Sequence, residues 1–403
     1  QLNIEHILFL CKSARMKALI YQSKNMSKTS KIVAAAVVVI VIVLIVLNRP
    51  STQSGSVKIG GIYIQTGVAA LVGEVQERAT QIALDKINNA GGINGRKLEV
   101  IRADSAYESK TTLSSYNQLK TQGVKLFITD GSSPAAAIRK PVIDDGNFVI
   151  IPAATTPAFF DGLNRTCRLA LTAKNFGPGL SDLVIKNNYK RISTLLPSNE
   201  YGKGLMEELN KALIAQGGTI VVSEFYDATP GAGDYRTYVT KIKAQQANTD
   251  ALIFVQTANT IEPMLKQIHD LGWTKPLVSD FYTIENPALK DRNLANGIQY
   301  VTYQYSSQPQ ESDSSAVKEF KDEYFKRFNS YPIYTGAATY DSILLLADAV
   351  SHVGDDPQKV ADYISKLKDY TAITGSLTFN DDCEVNRVTA TAKVEGGNII
   401  NVK

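Results

Sequence analysis

The sequence is poor in the residues that build metal and redox centres: three cysteines, three histidines, four methionines and one tryptophan in 403 residues. His6, His269 and His352 stand far apart, and no Cys or His pair has ligand spacing, so no metal is expected. His269 and His352 read as residues on solvated helix faces. Charge of one sign is scarce as well. The first 50 residues hold seven Lys/Arg against Glu5 alone, and the remainder carries 36 basic and 38 acidic residues. A near-neutral body has no phosphate-backbone footprint, which speaks against a nucleic-acid partner.

Catalytic signatures are lacking too. Gly131-Ser132-Ser133-Pro134 has no second glycine for a nucleophile elbow, and Gly202-Lys203-Gly204 is not a phosphate loop. Gly91-Gly92-Ile93-Asn94-Gly95 follows a helical pattern and precedes a strand, the wrong side for a dinucleotide fingerprint, so it reads as a turn. Neither an enzyme nor a cofactor is expected.

What is present is a leader and a long folded body. Ile32 to Leu47 is a run of sixteen apolar residues preceded by Lys24, Lys28 and Lys31. As a helix it reaches about 24 Å against a hydrocarbon core of about 30 Å. That is short for a span and long for a signal core. No small-x-small cleavage pair follows it, so residues 32–47 read as an uncleaved signal anchor, with a cleaved signal peptide and a buried core helix as the alternatives. The basic flank before it places the rest outside the cytoplasm, tethered to the membrane or released if cleaved. Residues 1–31 form a basic N-terminal segment, of which 1–25 precede a plausible start at Met26. Residues 48–56 form a linker.

With 44% hydrophobic and 20% charged residues, the remainder is expected to fold compactly, and its length suggests two or three units. Strands are expected at Val57 to Ile64, Lys97 to Ala103, Leu126 to Thr129 and Phe148 to Ile151, with helices at Gly73 to Asn89, Ser109 to Gln122 and Pro134 to Asp145. A second series follows: strands at Arg191 to Leu196, Thr219 to Phe225, Ala251 to Gln256 and Pro276 to Ser279, alternating with helices near Tyr201 to Gln216, Asp234 to Gln246 and Ile261 to Leu271. The tail adds a strand at Gly297 to Tyr305, helices around Ser314 to Phe328, Ala337 to Val353 and Pro357 to Leu367, and strands at Ser376 to Phe379 and Val388 to Val394. The fold class is α/β, with two doubly wound parallel-sheet lobes.

Ligands of open parallel sheets bind beyond the carboxyl ends of the strands. There Ser132 and Ser133 follow one strand, and Pro152-Ala153-Ala154-Thr155-Thr156 follow the next. Small side chains let a ligand approach the backbone, and hydroxyls with free N–H groups at a helix start suit a carboxylate. The alternative is that Ser132 is the N-cap of the helix beginning near Pro134, and one residue can do both. Cys167 and Cys383 would close a loop of about 216 residues, worth roughly 5 kcal/mol if bridged. Two buried thiols are an equal alternative.

At these residues the chain resembles the periplasmic branched-chain amino-acid-binding proteins, the type I solute-binding family of ABC importers. The resemblance covers about residues 57 to 400. It rests on Val57-Lys58-Ile59-Gly60 leading to Thr66-Gly67, the stretch Ile87 to Leu98, Ser132-Ser133, Pro152-Ala153-Ala154-Thr155, and Asn199-Glu200-Tyr201-Gly202-Lys203-Gly204. It implies a hinge of three crossings near Thr172, Thr302 and Asn380, with 57–171 plus 303–379 as lobe 1 and 172–302 plus 380–403 as lobe 2. It further implies that Ser132, Ala153 and Thr155, with their neighbours Ser133 and Ala154, hold a ligand's carboxylate and ammonium, and that Tyr201 closes over it. Asp280 resembles the ammonium's acidic partner, with Phe281 there if the register slips by one. Two aromatic positions of the family are Thr257 and Val72 here, which leaves the side-chain pocket unread. The implied function is capture of an amino-acid-like small molecule by a monomer for an ABC permease. A ligand-sensing ectodomain signalling through a membrane partner is the alternative.

Overall fold

The computed structural model describes residues 55–155, 165–227, 233–256 and 259–402. The expected anchor at 32–47 and Thr257 lie outside these residues. Among the described residues no helix is long and apolar enough to cross a membrane.

The first sheet is built from β1 (Val57–Tyr63), β2 (Leu98–Asp104), β3 (Leu126–Thr129), β4 (Phe148–Ile151) and β5 (Thr166–Arg168), all parallel in the order β2-β1-β3-β4-β5. Helices α1 (Ala70–Asn89), α2 (Ser109–Thr121) and α3 (Ser132–Asp144) make the crossovers. Strands covered on both faces should be apolar throughout, and β3 and β4 are buried at every position. The glycine-rich stretch after α1 is a turn, with Gly91, Gly92, Asn94 and Gly95 at positive φ. At Gly92 a Cβ would stand 2.1 Å from the Arg96 carbonyl oxygen, so the turn closes only without one.

The second sheet contains β6 (Arg191–Pro197), β7 (Thr219–Tyr226), β8 (Ala251–Phe254), β9 (Leu277–Asp280) and β10 (Gln299–Thr302). Its helices are α4 (Ala173–Lys186), α5 (Glu200–Ala215), α6 (Arg236–Lys243), α7 (Ile261–Asp270) and the single turn α8 (Phe281–Ile284). The chain then returns to the first sheet with α9 (Ser315–Phe328), α10 (Tyr334–Val353) and α11 (Pro357–Ser365), where α10 packs on α1 and α11 on β4 and β5. A hairpin of β11 (Tyr370–Ala372) and β12 (Gly375–Leu377) follows. Finally β13 (Ala390–Glu395) and β14 (Asn398–Val402) extend the second sheet antiparallel from β10, in the order β14-β13-β10-β9-β8-β6-β7.

Three segments therefore pass between the sheets: 169–172, 303–314 and 378–389. Thr172 caps α4 in a capping box with Asn175, Thr302 ends β10, and Asn380 lies in the third segment. The sequence reading omits α4, α8, β5, β11 and β14. α4 contains Gly177-Pro178-Gly179, a composition more usual in turns. In the fold Gly177 lies against α5, where a Cβ would stand 2.6 Å from the Leu209 nitrogen, so the glycine lets the two helices touch. The expected strand Gly297 to Tyr305 is shorter because Tyr303 and Tyr305 leave the sheet and pack around Tyr334 in the crossing.

The largest apolar cluster runs from Val57 and Ile59 of β1 through Leu169, Leu171, Tyr303 and Phe379 of the crossings to Phe176, Leu180 and Leu209 beyond them. The two lobes thus share a core, and residues 55–403 form one compact unit. Cys167 and Cys383 are joined in a disulfide with Cα atoms 4.7 Å apart, which ties β5 to the third crossing. Beside it Arg168 is buried and ion-paired with Glu384.

Candidate ligand-binding site

The carboxyl ends of β3 and β4 set the first wall. Gly131, at φ 86°, is the N-cap of α3, and Ser132 is the first residue of the helix. Ser132 is therefore not the cap, which corrects that alternative: the cap position needs a left-handed backbone that only glycine adopts without strain. The Ser132 hydroxyl accepts from the Thr155 N–H at 3.2 Å, and the Gly131 N–H donates to the Ala153 carbonyl at 2.8 Å. These bonds stitch the β3 and β4 loops into one surface. From behind, Arg168 Nη1 donates to the Ala154 carbonyl at 3.0 Å, and the Thr155 carbonyl accepts from the Ala173 N–H at 2.6 Å. The loop is thereby anchored to both the ion pair and the start of α4.

The opposite wall comes from the second sheet. Tyr201 sits in the first turn of α5, whose N-cap Asn199 accepts from the Gly202 N–H at 3.1 Å. Tyr282 follows β9 and meets the Tyr201 ring edge-on at 5.5 Å, and its hydroxyl lies 3.0 Å from that of Tyr303. Tyr303 in turn stacks on Tyr334 with ring centroids 3.4 Å apart. Burial pushes the phenols of Tyr282 and Tyr303 far above their ordinary range, so both stay protonated and can donate.

Between the walls lies a cavity of about 30 Å³ lined by Tyr107, Gly131, Ser132, Ala153, Ala154, Thr155, Tyr201 and Tyr282. Five of the eight residues singled out in the sequence meet here: Ser132, Ala153, Ala154, Thr155 and Tyr201. Ser133 does not. It is one step further round the helix, and its carbonyl accepts from the Ser109 hydroxyl at 3.4 Å on an exposed flank. Asp280 ends β9 two residues before Tyr282, and it is outside the lining because its Oδ1 caps α8, accepting from the Thr283 N–H at 3.0 Å. Phe281 is a core residue packed against Tyr303 and Tyr334, so the one-residue slip to Phe281 is not what the fold adopts. Tyr107, Gly131 and Tyr282 line the cavity without having been singled out. Tyr282 could have been suspected from its place after a strand, whereas Tyr107 depends on a loop bend with no simple sequence signal.

Three polar atoms around this site are buried and without a hydrogen-bond partner among the described residues: Thr155 Oγ1, the Tyr201 hydroxyl and Asp280 Oδ2. Leaving such groups unmet costs about 1–3 kcal/mol each, so a ligand that meets them gains that much. Burial raises the Asp280 carboxyl to about 7, against the stabilising bonds from Thr283. Asp130, just behind Gly131, is raised likewise to about 7. Its carboxylate accepts from the Gly131 N–H at 2.8 Å and from Gln76 Nε2 at 3.1 Å. The site presents a helix start and hydroxyls fit for an anion, with the buried Asp280 carboxyl outside the lining two residues before Tyr282.

At the rim the Asn259 N–H donates to the Val68 carbonyl at 2.7 Å, and Leu71 packs against the apolar cluster of the second lobe. The walls are thus held together on the side away from the crossings. Val72 is not in the lining.

The family model for periplasmic binding proteins matches residues 56–398. An amino acid binding protein of Pseudomonas aeruginosa is 27% identical over 318 residues, covering 76% of this chain and 82% of that protein. A Leu/Ile/Val-binding protein homologue of Brucella melitensis is 30% identical over 228 residues, 55% of this chain, and the match spans 60% of that relative's length. Among solved structures, the isoleucine complex of the substrate-binding protein of a branched-chain amino acid transporter from Streptococcus pneumoniae superposes with a TM-score of 0.76. It is 25% identical, with 86% of this chain and 100% of that one covered. A benzoate-bound solute-binding protein of an ABC transporter from Rhodopseudomonas palustris shares the fold at a TM-score of 0.77 and 17% identity, over 86% and 96%. With its two parallel-sheet lobes and its matched span, the chain belongs to the periplasmic binding proteins of type I, in the branched-chain amino-acid-binding family of extracytoplasmic, non-enzymatic solute-binding proteins.

Proposed function

We propose that this protein captures a small amino-acid-like ligand between its lobes on the extracytoplasmic face of a membrane and delivers it to an ABC permease. The observation that carries this reading is the meeting of Ser132, Ala153, Ala154 and Thr155 with Tyr201 and Tyr282 around one cavity, flanked by partnerless Thr155 Oγ1, Tyr201 hydroxyl and Asp280 Oδ2. The N–H groups at the start of α3 and the hydroxyls of Ser132 and Thr155 take the carboxylate. Asp280 takes the ammonium across the cavity from the second lobe.

Such a division explains why closure depends on ligand. A zwitterion's two charges are met from different lobes, so both are satisfied only when the walls close, and the closed form gains what the open form cannot. Segments 169–172, 303–314 and 378–389 act as the hinge. An amino acid of about nine heavy atoms bound at micromolar strength needs nearly 1 kcal/mol per atom, close to the ceiling for small ligands. Enclosure between two walls with charge-assisted hydrogen bonds meets that demand. The relatives named for amino acids support this choice of ligand class. Residues 32–47 tether the protein beside its permease.

A thermal-shift screen of the purified protein against amino acids, small amides and aromatic acids tests the reading. Amino acids should raise the melting midpoint, since a ligand that binds only the native state stabilises it. A shift by an aromatic acid lacking an ammonium, with none by any amino acid, would assign the site to another class.

A further inference from the structure

Tyr107 is in a loop, half-buried, and held in a backbone conformation that costs energy. Ala106 and Tyr107 are consecutive non-glycine residues at φ 48° and 60°, a left-handed pair that side chains disfavour. The bend is over-determined from all sides. Asp104 Oδ1 accepts from the N–H groups of Gln65 at 2.9 Å, Thr66 at 3.2 Å and Ala106 at 2.8 Å, while Asp104 Oδ2 takes the Thr66 hydroxyl. The Ser105 hydroxyl accepts from the Tyr107 N–H at 3.2 Å. Two glycines make room for the pair: a Cβ on Gly67 would meet the Ala106 carbonyl oxygen at 2.7 Å, and one on Gly131 would meet Tyr107 Cε2 at 2.5 Å. The result of all this is a ring laid on the N-cap of α3, lining the cavity together with Tyr201 and Tyr282 of the other lobe.

We propose that Tyr107 sets the size limit of the ligand, so that the protein selects amino acids with small side chains, such as glycine, alanine or serine, over leucine and phenylalanine. The inference rests on the amino-acid reading above. Ser132, Thr155 and Asp280 are assigned to the ligand's charged head, and Tyr107 lines the same cavity as Ser132 and Thr155, leaving its ring as a bulky group against which a side chain would have to pack. The cavity of about 30 Å³ is room for only about two waters at roughly 10–15 Å³ each. A small amino acid is accommodated by slight opening of the walls, whereas a branched side chain must displace a ring whose loop is held by hydrogen bonds at the Tyr107 and Ala106 N–H groups and by those that tie Gln65 and Thr66 to Asp104 beside it. Displacing a pinned ring against close packing is penalised more steeply than filling a soft pocket.

The test is isothermal titration calorimetry of the full chain and of Tyr107→Ala and Tyr107→Phe with glycine, alanine, serine, leucine and phenylalanine. The native protein should bind at least one of the three small amino acids about tenfold or more tighter than leucine. Tyr107→Ala should shift the small-to-leucine ratio by about tenfold toward leucine, and Tyr107→Phe, which keeps the ring, should leave the ranking as it is. Leucine bound as tightly as alanine by the native protein, or an equal loss for all amino acids in Tyr107→Ala, overturns the inference while leaving the amino-acid reading intact. Absence of heat with every amino acid, in a native protein with an intact melting transition, overturns both.

Discussion

The two walls of the cavity are made in opposite ways. The first lobe presents small residues and backbone, Gly131, Ser132, Ala153, Ala154 and Thr155, whose positions are set by a lattice of main-chain hydrogen bonds. The second presents large side chains, Tyr201 and Tyr282, with Asp280 at the end of β9 outside the lining. A wall of backbone is only as good as the scaffold that places it, while a wall of side chains can be altered one group at a time. The first lobe should therefore be most vulnerable in residues that never touch a ligand, and the second in those that do.

The largest effect should come from the disulfide. Replacing Cys167 and Cys383 by serine frees a loop of 216 residues and should cost about 5 kcal/mol in the chain-entropy picture, read as a lowered urea midpoint. A loss below about 1 kcal/mol would mean that the crossing is held without it. Next is Glu384→Gln, which strands the buried Arg168 guanidinium and should destabilise by about 3–5 kcal/mol. Because Arg168 also holds the Ala154 carbonyl, ligand affinity should fall too, although neither residue lines the cavity. Unchanged affinity in the folded fraction would break the link between scaffold and first wall.

In the second wall, Asp280→Asn should weaken an amino acid by roughly 10–100-fold, the worth of a hydrogen bond to a charged group, and barely affect a ligand without an ammonium. The pH dependence follows from the same carboxyl. Its value in the folded protein is raised to about 7 from 3.8, so without ligand the folded state holds a proton that the unfolded state releases. Stability of the ligand-free protein should therefore fall as pH rises from about 4 to 7 and level off above, with Asp130 and Asp341, raised to about 7 and 6, acting in the same direction. An ammonium needs the ionised form, so affinity should rise with pH through about 7, with proton release on binding near pH 6 that vanishes by pH 8. Calorimetry in two buffers of different ionisation enthalpy measures this directly. The smallest effect is expected at the rim: Leu71→Ser removes an apolar contact between the lobes and should weaken binding a few-fold through closure alone, leaving the melting midpoint of the ligand-free protein almost unchanged.

The same contrast explains what could be read from the sequence. The first wall was legible because its residues follow strands in order, and Ser132, Ala153, Ala154 and Thr155 need only the rule that ligands gather beyond strand ends. Tyr201 was legible through the resemblance and its position at a helix start. Tyr282 and Tyr107 were not, since a ring's destination depends on how a loop bends in three dimensions. Helix α4 escaped for a related reason. Gly177-Pro178-Gly179 has the composition of a turn, and only its packing against α5 shows that the first glycine serves contact between helices. Asp280 was expected as the ammonium's partner; in the fold it ends β9 outside the cavity lining and its Oδ1 caps α8, a role the sequence pattern did not suggest.

The return of α9, α10 and α11 to the first sheet bears on how the chain comes into being. α10, fifteen of whose twenty residues are buried, packs on α1 although the whole of β6 to β10 separates them in sequence. An emerging chain must present α1 and β1 to β5 without that cover until residue 353 has been made. The first lobe therefore cannot mature ahead of the second, contrary to the usual order in which N-terminal domains fold first. Both halves of its binding surface should therefore form together, and a chain cut short before α10 should yield no working half.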